Sequence, residues 1–222
     1  MRGRSQHGLG PHDRSLLEAY IAAKDAVIAR GFDSEIDWQE GLCVSRIGEQ
    51  DFLRETAWVI LSSGFREAVL RGLFPAVSRA FLDFASAAEI ARHASRCHAE
   101  GLRVFRQPRK LAAIVTVADR VHRLGFATIK ANIEAGGLAY LETFPYVGPV
   151  TRYHLAKNLG VDVVKPDRHL CRVARAARYG SPEALCRMIS ASTGDRLAVV
   201  DLVIWRFATI ERSYLEHFRV TR

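Results

Sequence analysis

The sequence predicts an all-α protein of ten or so short helices. Three observations lead there. Apolar residues recur at helical spacing along most of the chain, strand-like runs are nearly absent, and Gly or Pro punctuates the periodic segments. Short β-like runs such as Val161 to Val164 are flanked by helical patterns and turn residues. Leu16, Leu17, Tyr20, Ala23, Val27 and Ile28 define the first helix, stopped by Gly31. Residues 32–48 read as a longer mixed loop. Residues 49–63 read as a helix built on Phe52, Leu53, Trp58, Ile60 and Leu61, broken at Gly64 and resumed over 65–73. Pro75 opens a short helix toward Phe84. Two longer helices follow over 85–100 and 109–124, the second carrying Leu111, Ile114, Val115, Val121 and His122. Shorter ones are expected over 127–135 and 138–143. No internal repeat of solenoid period is visible.

Composition bounds the class. The chain has 222 residues, 49% hydrophobic and 25% charged. That is ordinary for a globular protein and unlike a disordered or low-complexity chain. It can bury a core without disulfides or a structural metal. No apolar run reaches the roughly 20 residues of a membrane span, and residues 1–13 lack the apolar stretch of a secretion signal. A cytoplasmic, nucleoid-associated protein is expected. Cys43, Cys97, Cys171 and Cys186 form no C-x-x-C pair and no zinc or iron–sulfur spacing, so they read as reduced thiols and no metal site is expected.

Charge points to a polyanion. Lys plus Arg is 32 against 24 acidic residues, a formal net charge of +8, and 27 of the 32 are Arg. Arginine forks onto phosphate through two parallel hydrogen bonds, although a GC-rich genome also raises its frequency. Between Thr151 and Gly180 stand Arg152, Lys157, Lys165, Arg168, Arg172, Arg175 and Arg178, against Asp162 and Asp167.

The most informative stretch is Leu141 to Arg172. A short apolar helix ends at Phe144-Pro145, Tyr146-Val147-Gly148-Pro149 reverses the chain, and a second helix runs from Val150 to Leu159 with Leu155 and Leu159 inward. Gly148 allows close approach of backbone to a ligand, and Pro149 suits a first helical turn. The free N–H groups of that turn form an anion site suited to a DNA phosphate, with no base read. An ordinary αα-hairpin is the competing reading.

Phe144-Pro145-Tyr146-Val147-Gly148-Pro149, followed by Lys165-Pro166-Asp167-Arg168-His169-Leu170-Cys171-Arg172, resembles the helix-hairpin-helix DNA glycosylase superfamily, which includes endonuclease III. There the hairpin is followed by Asp-x-His-x-x-Arg, which Asp167, His169 and Arg172 match. Weaker likeness extends upstream to Trp58–Gly64 and Leu73-Phe74-Pro75, and downstream to Val200–Trp205, so it covers roughly residues 50–210. The resemblance implies two interleaved helical lobes with a cleft between them. One is residues 50–164, ending in the hairpin, and the other is 1–49 plus 165–222. Asp167 is then expected where the chain crosses between lobes. The sequence departs from the family in four ways, one being that Trp58 is the nearest match to the acidic residue of the adenine-removing branch and cannot serve as an acid. Val150 stands where bifunctional members carry a nucleophilic Lys. The cysteines of the family's iron–sulfur cluster are absent. Gly64 stands where many members have a wedging Gln.

The resemblance implies hydrolysis of the N-glycosidic bond of a damaged or modified base flipped out of duplex DNA, by a monomeric repair enzyme. No cofactor is required, though a monovalent cation at the hairpin carbonyls fits the family. Asp167 is the expected carboxylate, offsetting oxocarbenium charge or orienting a water; its rival role is a helix cap. Tyr146, Val147, Gly148, Val150, Thr151, Arg152, Arg168 and Arg172 are the expected DNA contacts. For the arginines a solvated helix face competes. Trp58, Gly64, Phe65 and Arg66 are candidates for the base pocket or wedge, with Tyr153 and Trp205 as further aromatic candidates. His169 reads as a packing or orienting residue. Two alternatives stay open: a glycosylase with lyase activity through Lys165, and a helix-hairpin-helix DNA-binding protein without catalysis.

Overall fold

A computed structural model describes residues 10–219. It is all-helical: thirteen α-helices, short 3-10 turns at Val44–Arg46 and Leu82–Phe84, and no strand among the described residues. The chain divides into two compact units, Leu42–Val161 and the discontinuous pair Met1–Gly41 with Asp162–Arg222. The sequence reading sets these boundaries at 49/50 and 164/165. Residues 42–49 instead sit with the continuous unit. There Lys130 Nζ donates to the Ser45 carbonyl at 3.1 Å, and the Gly160 backbone approaches Cys43 so closely that a Cβ would lie 2.6 Å from the Cys43 nitrogen.

The discontinuous unit is built on α12 (Leu197–Ile210). Its sequence LAVVDLVIWRFATI is apolar on nearly every face, and Ala198, Val199, Val200, Val203, Ile204 and Phe207 are buried. Helices α1 (Pro11–Ala29), α2 (Asp33–Gly41), α10 (Arg168–Ala176), α11 (Pro182–Thr193) and α13 (Tyr214–His217) pack on it. The expected loop over 32–48 is corrected: most of it is α2. Its own periodicity is weak, but Ile36 and Gln39 are buried, and Glu35 takes a bidentate bond from Arg206 of α12. A tertiary partner supplies what the local pattern lacks.

The continuous unit holds α3 (Glu49–Ser62), α4 (Glu67–Ala80), α5 (Ala87–Arg92), α6 (Ala94–Val104), α7 (Pro108–Leu124), α8 (Phe126–Leu141) and α9 (Thr151–Asn158). α3 packs against α7 and α9, and Phe52 meets Phe126 and Phe144 at 5.8 and 5.5 Å between ring centroids. Two expectations need adjusting. Pro75 lies inside α4 and does not start a helix, because Leu70, Phe74 and Val77 are buried along one face and outweigh one lost backbone bond. The helix expected over 85–100 is two, separated at His93, with Ser86 Oγ capping the first by accepting from Glu89 N–H. The two short helices expected around 127–143 are both present within α8, which breaks at the non-helical conformation of Gly137 (φ 49°, ψ −130°).

A hairpin turn, a buried lysine and a capped carboxylate

The turn between α8 and α9 is fixed from within. Thr151 Oγ1 accepts the Gly148 N–H at 2.8 Å and donates to the Tyr146 carbonyl at 3.0 Å, while Arg152 N–H returns to the Gly148 carbonyl at 2.9 Å. Thr151 thereby ties the turn and does not cap its own helix. Val150 occupies the N-cap position without a capping side chain. Among the described residues the N–H groups of Val150 and Thr151 have no acceptor, as expected for the first turn of an uncapped helix. Tyr146 holds φ at +62°, a costly conformation for a non-glycine residue and one that recurs at functional turns. A Cβ on Gly148 would meet nothing within 4 Å. Ser63 and residues 146–151 line an open hollow of about 450 Å³. Val147 is buried and holds the turn to the core, whereas Val150 is 68% exposed.

Arg152, expected as a phosphate ligand, is engaged within the hairpin. Nη1 donates to Glu142 Oε2 at 2.9 Å, and the guanidinium stacks 5.0 Å from the Tyr153 ring. It braces the two sides of the turn.

The wedge candidates divide. Trp58 packs edge-on against Phe74 at 5.0 Å with Arg71 over its ring, so it helps to seat α4 on α3. Trp205 stacks with the Arg206 guanidinium at 4.7 Å and packs on the core of its own unit. Gly64 (φ +76°) makes the turn after α3, and a Cβ there would enter open space. Phe65 and Arg66 follow it and are exposed, with Phe65 resting against Phe105 at 5.0 Å.

Beneath this turn lies a residue the sequence reading did not single out. Lys110, on the first turn of α7, is 7% exposed. Its Nζ donates to the carbonyls of Ile60 at 2.6 Å, Leu61 at 3.0 Å and Ser63, the orphan acceptors at the end of α3. The same Nζ lies 5.1 Å from the Phe65 ring centroid and 5.4 Å from that of Tyr146. Burial pulls its pKa below the usual lysine value. A signal existed in the sequence: Lys110 precedes Leu111, Ile114, Val117 and Val121 at inward-facing spacing, where a charge needs a partner.

In the discontinuous unit the loop before α10 is pinned to α12. The Ala198 N–H donates to Asp162 Oδ1 at 2.9 Å, and the Lys165 N–H donates to Asp201 Oδ2 at 2.5 Å, Asp201 itself being buried. Asp167 then caps α10: Oδ1 accepts the N–H groups of His169 at 2.8 Å and Leu170 at 3.0 Å. Oδ2 has no partner among the described residues. The carboxylate is therefore a cap through one oxygen and free through the other. His169 shares a bond of 3.2 Å between Nδ1 and the Tyr214 hydroxyl and accepts from Arg168 Nε at 3.2 Å, so its ring is held in place. Arg168, Arg172 and Arg175 are exposed at i, i+4 and i+7, one face of α10. None of them has a carboxylate partner among the described residues. The Lys165 side chain is half-buried.

Among the described residues no group of three or more His, Cys, Asp or Glu side chains is placed to hold a metal, and no helix is long and apolar enough to cross a membrane. Compared with protein-family models, with characterised proteins and with solved structures, the chain gives no match.

Proposed function

We propose that the protein is a monofunctional DNA glycosylase of base excision repair, acting on a damaged or modified base flipped out of duplex DNA. The observation that carries this reading is the α8–α9 turn. It combines an uncapped helix N-terminus, open space at Gly148 and a strained Tyr146 held in place by Thr151. These features suit a backbone phosphate approached by main-chain N–H groups, which gives affinity without base readout. The α10 arginines, which have no carboxylate partner among the described residues, suit further phosphate contacts.

Asp167 supplies the chemistry in this reading. As the base departs, positive charge develops on the sugar; an ionised carboxylate stabilises it, and the free Oδ2 can also orient the attacking water. The cap bonds from His169 and Leu170 fix the rotamer. The glycosidic bond breaks heterolytically, the base leaves with the electron pair, and water adds to the sugar, losing the proton that the departed base takes up. Val150 offers no amine at the hairpin, so the abasic strand stays intact.

The test is a panel of duplexes, each with one altered base, scored for base release with and without hot alkali. The reading expects breaks at one lesion class only after alkali. Unaided nicking trapped by borohydride, lost in Lys165→Ala, would replace it with a glycosylase/lyase. The cap role of Asp167 favours a second reading, a DNA-binding protein without catalysis, and this predicts tight duplex binding with no release from any substrate.

A further inference from the structure

Lys110 is an expensive way to finish a helix. A buried ammonium loses its hydration, and a neutral side chain or a Schellman turn would satisfy the end of α3 at lower cost. What the lysine adds is a shared contact. One Nζ is bonded to the Ser63 carbonyl on the rim of the hollow and lies against two rings that belong to different turns, Phe65 after α3 and Tyr146 before α9. Both rings are exposed, 37% and 40%, although each is large and apolar. Both turns carry positive φ, at Gly64 and Tyr146. A cation that saturates three carbonyls has no freedom left, so the rings packed on it have little either.

We propose that Lys110 is a positioning residue that presets Phe65 and Tyr146 as a paired stacking platform for nucleobases of the strand whose phosphate sits at the α9 N-terminus. This rests on the nucleic-acid reading of the hairpin and deepens it by naming how bases are held beside the backbone. The occupant is a nucleobase because the surface joins exposed ring faces to an anion seat lined by the same Tyr146, in a chain of net charge +8. A ring backed by an ammonium is electron-poor on its free face, which suits an electron-rich purine or pyrimidine. Binding then needs no ordering of two separate loops, and preset geometry raises affinity by removing that cost.

The experiment is a double-variant cycle on duplex affinity, measured by fluorescence anisotropy with a labelled duplex carrying one abasic-site analogue, at equal folded fraction by circular dichroism. Lys110→Met and Tyr146→Leu are each expected to weaken binding roughly tenfold, within the range of lost base stacking. The double variant should bind within about twofold of the weaker single, because without the lysine Tyr146 is no longer preset. A residue that matters only for stability would lower the melting temperature and leave the affinity of the folded fraction unchanged, and that outcome, like losses that simply multiply, overturns the proposal. If Lys110→Met does not fold, a Phe65→Leu, Tyr146→Leu cycle on the two exposed rings carries the same test, with non-additive loss expected and multiplicative loss overturning it. A wild-type chain that binds no duplex at all removes the hairpin reading and this proposal together; wild-type binding with multiplicative losses removes this proposal alone.

Discussion

Two helices of this protein begin just after a proline, and their first turns differ. α9 follows Pro149-Val150 with an exposed apolar residue at its N-cap, while α10 follows Pro166-Asp167 with a carboxylate there. In both, the first N–H groups lack an intrahelical partner and the helix dipole favours negative charge. At α10 that demand is met internally, since one Asp167 oxygen takes two N–H groups. At α9 it is left for something else, and Thr151, the nearest candidate cap, is spent on the turn. The difference separates two tasks. An end that has its own carboxylate repels a phosphate but holds that carboxylate in place; an end that lacks one suits the phosphate of the proposed reading. A similar contrast holds among the arginines. Arg92, Arg103, Arg123 and Arg187 pair with carboxylates three or four residues before them on their own helices, whereas Arg168, Arg172 and Arg175 do not.

The largest effect should come from breaking the α10 side of this comparison. Asp167→Asn keeps the cap, because Asn serves an N-cap about as well as Asp, and removes the charge. Single-turnover base release is expected to fall by roughly 10²–10³ or more, as for loss of one well-placed electrostatic group. Melting temperature should barely move, and duplex affinity should hold or rise as a negative charge leaves. Normal release by the Asn variant would reduce Asp167 to its capping role.

The α9 side is broken by Gly148→Glu. The new side chain projects into open space, so the fold tolerates it, but it brings a carboxylate to the place that the proposed function gives to a phosphate. Duplex affinity should drop roughly 10–30-fold, the upper range for charge at a helix end, and Gly148→Ala should change it little. Equal affinity of the Glu and wild-type proteins at moderate salt would take the turn out of the interface. Smaller again are the α10 arginines. Arg168→Gln, Arg172→Gln and Arg175→Gln should each weaken binding several-fold and lower the salt slope of log affinity by about 1, irrespective of sequence. A slope unchanged in the triple variant would mark this face as merely solvated.

How far the sequence carried this picture depended on whether a signal was local. α7 was legible because its apolar residues recur at helical period over many turns. The break at Gly137 was legible as a boundary between two short helices, since glycine weakens a helix wherever it stands. α2 was not, because what makes it a helix is the bond from Arg206, 171 residues away. Pro75 misled for the same reason: proline is a strong local signal, and buried Phe74 and Val77 outweighed it. In the site, Asp167 as a cap could be read from its place after Pro166. The free oxygen that keeps a second role open needed coordinates. Arg152 looked like a ligand because charge counts ignore partners, and Glu142 lies ten residues back. Lys110 escaped because one lysine among apolar neighbours reads as noise until three carbonyls converge on it.

The smallest expected effect tests how firmly α9 is seated. Asn158, the last residue of α9, donates from Nδ2 to Glu55 Oε2 of α3 at 2.7 Å. Burial pushes the Glu55 pKa up, and the Asn158 bond opposes this only in part. The folded pKa thus lies above the unfolded one, so the fold prefers the protonated carboxyl. Its contribution to stability is fully present below the unfolded pKa of about 4.3 and is lost as pH rises through the higher folded value. Glu55→Gln keeps an oxygen that accepts from Asn158 and removes the ionisation. The variant should therefore melt above wild type at pH 7, and the gap should shrink as pH falls toward 4. Its duplex affinity at pH 7 should match wild type, because the α9 N-terminus is untouched. A melting-temperature gap that does not vary with pH would show that burial of Glu55 costs nothing in its ionised state. A loss of affinity would show that the α9 end is set by its seat on α3 as well as by its own missing cap.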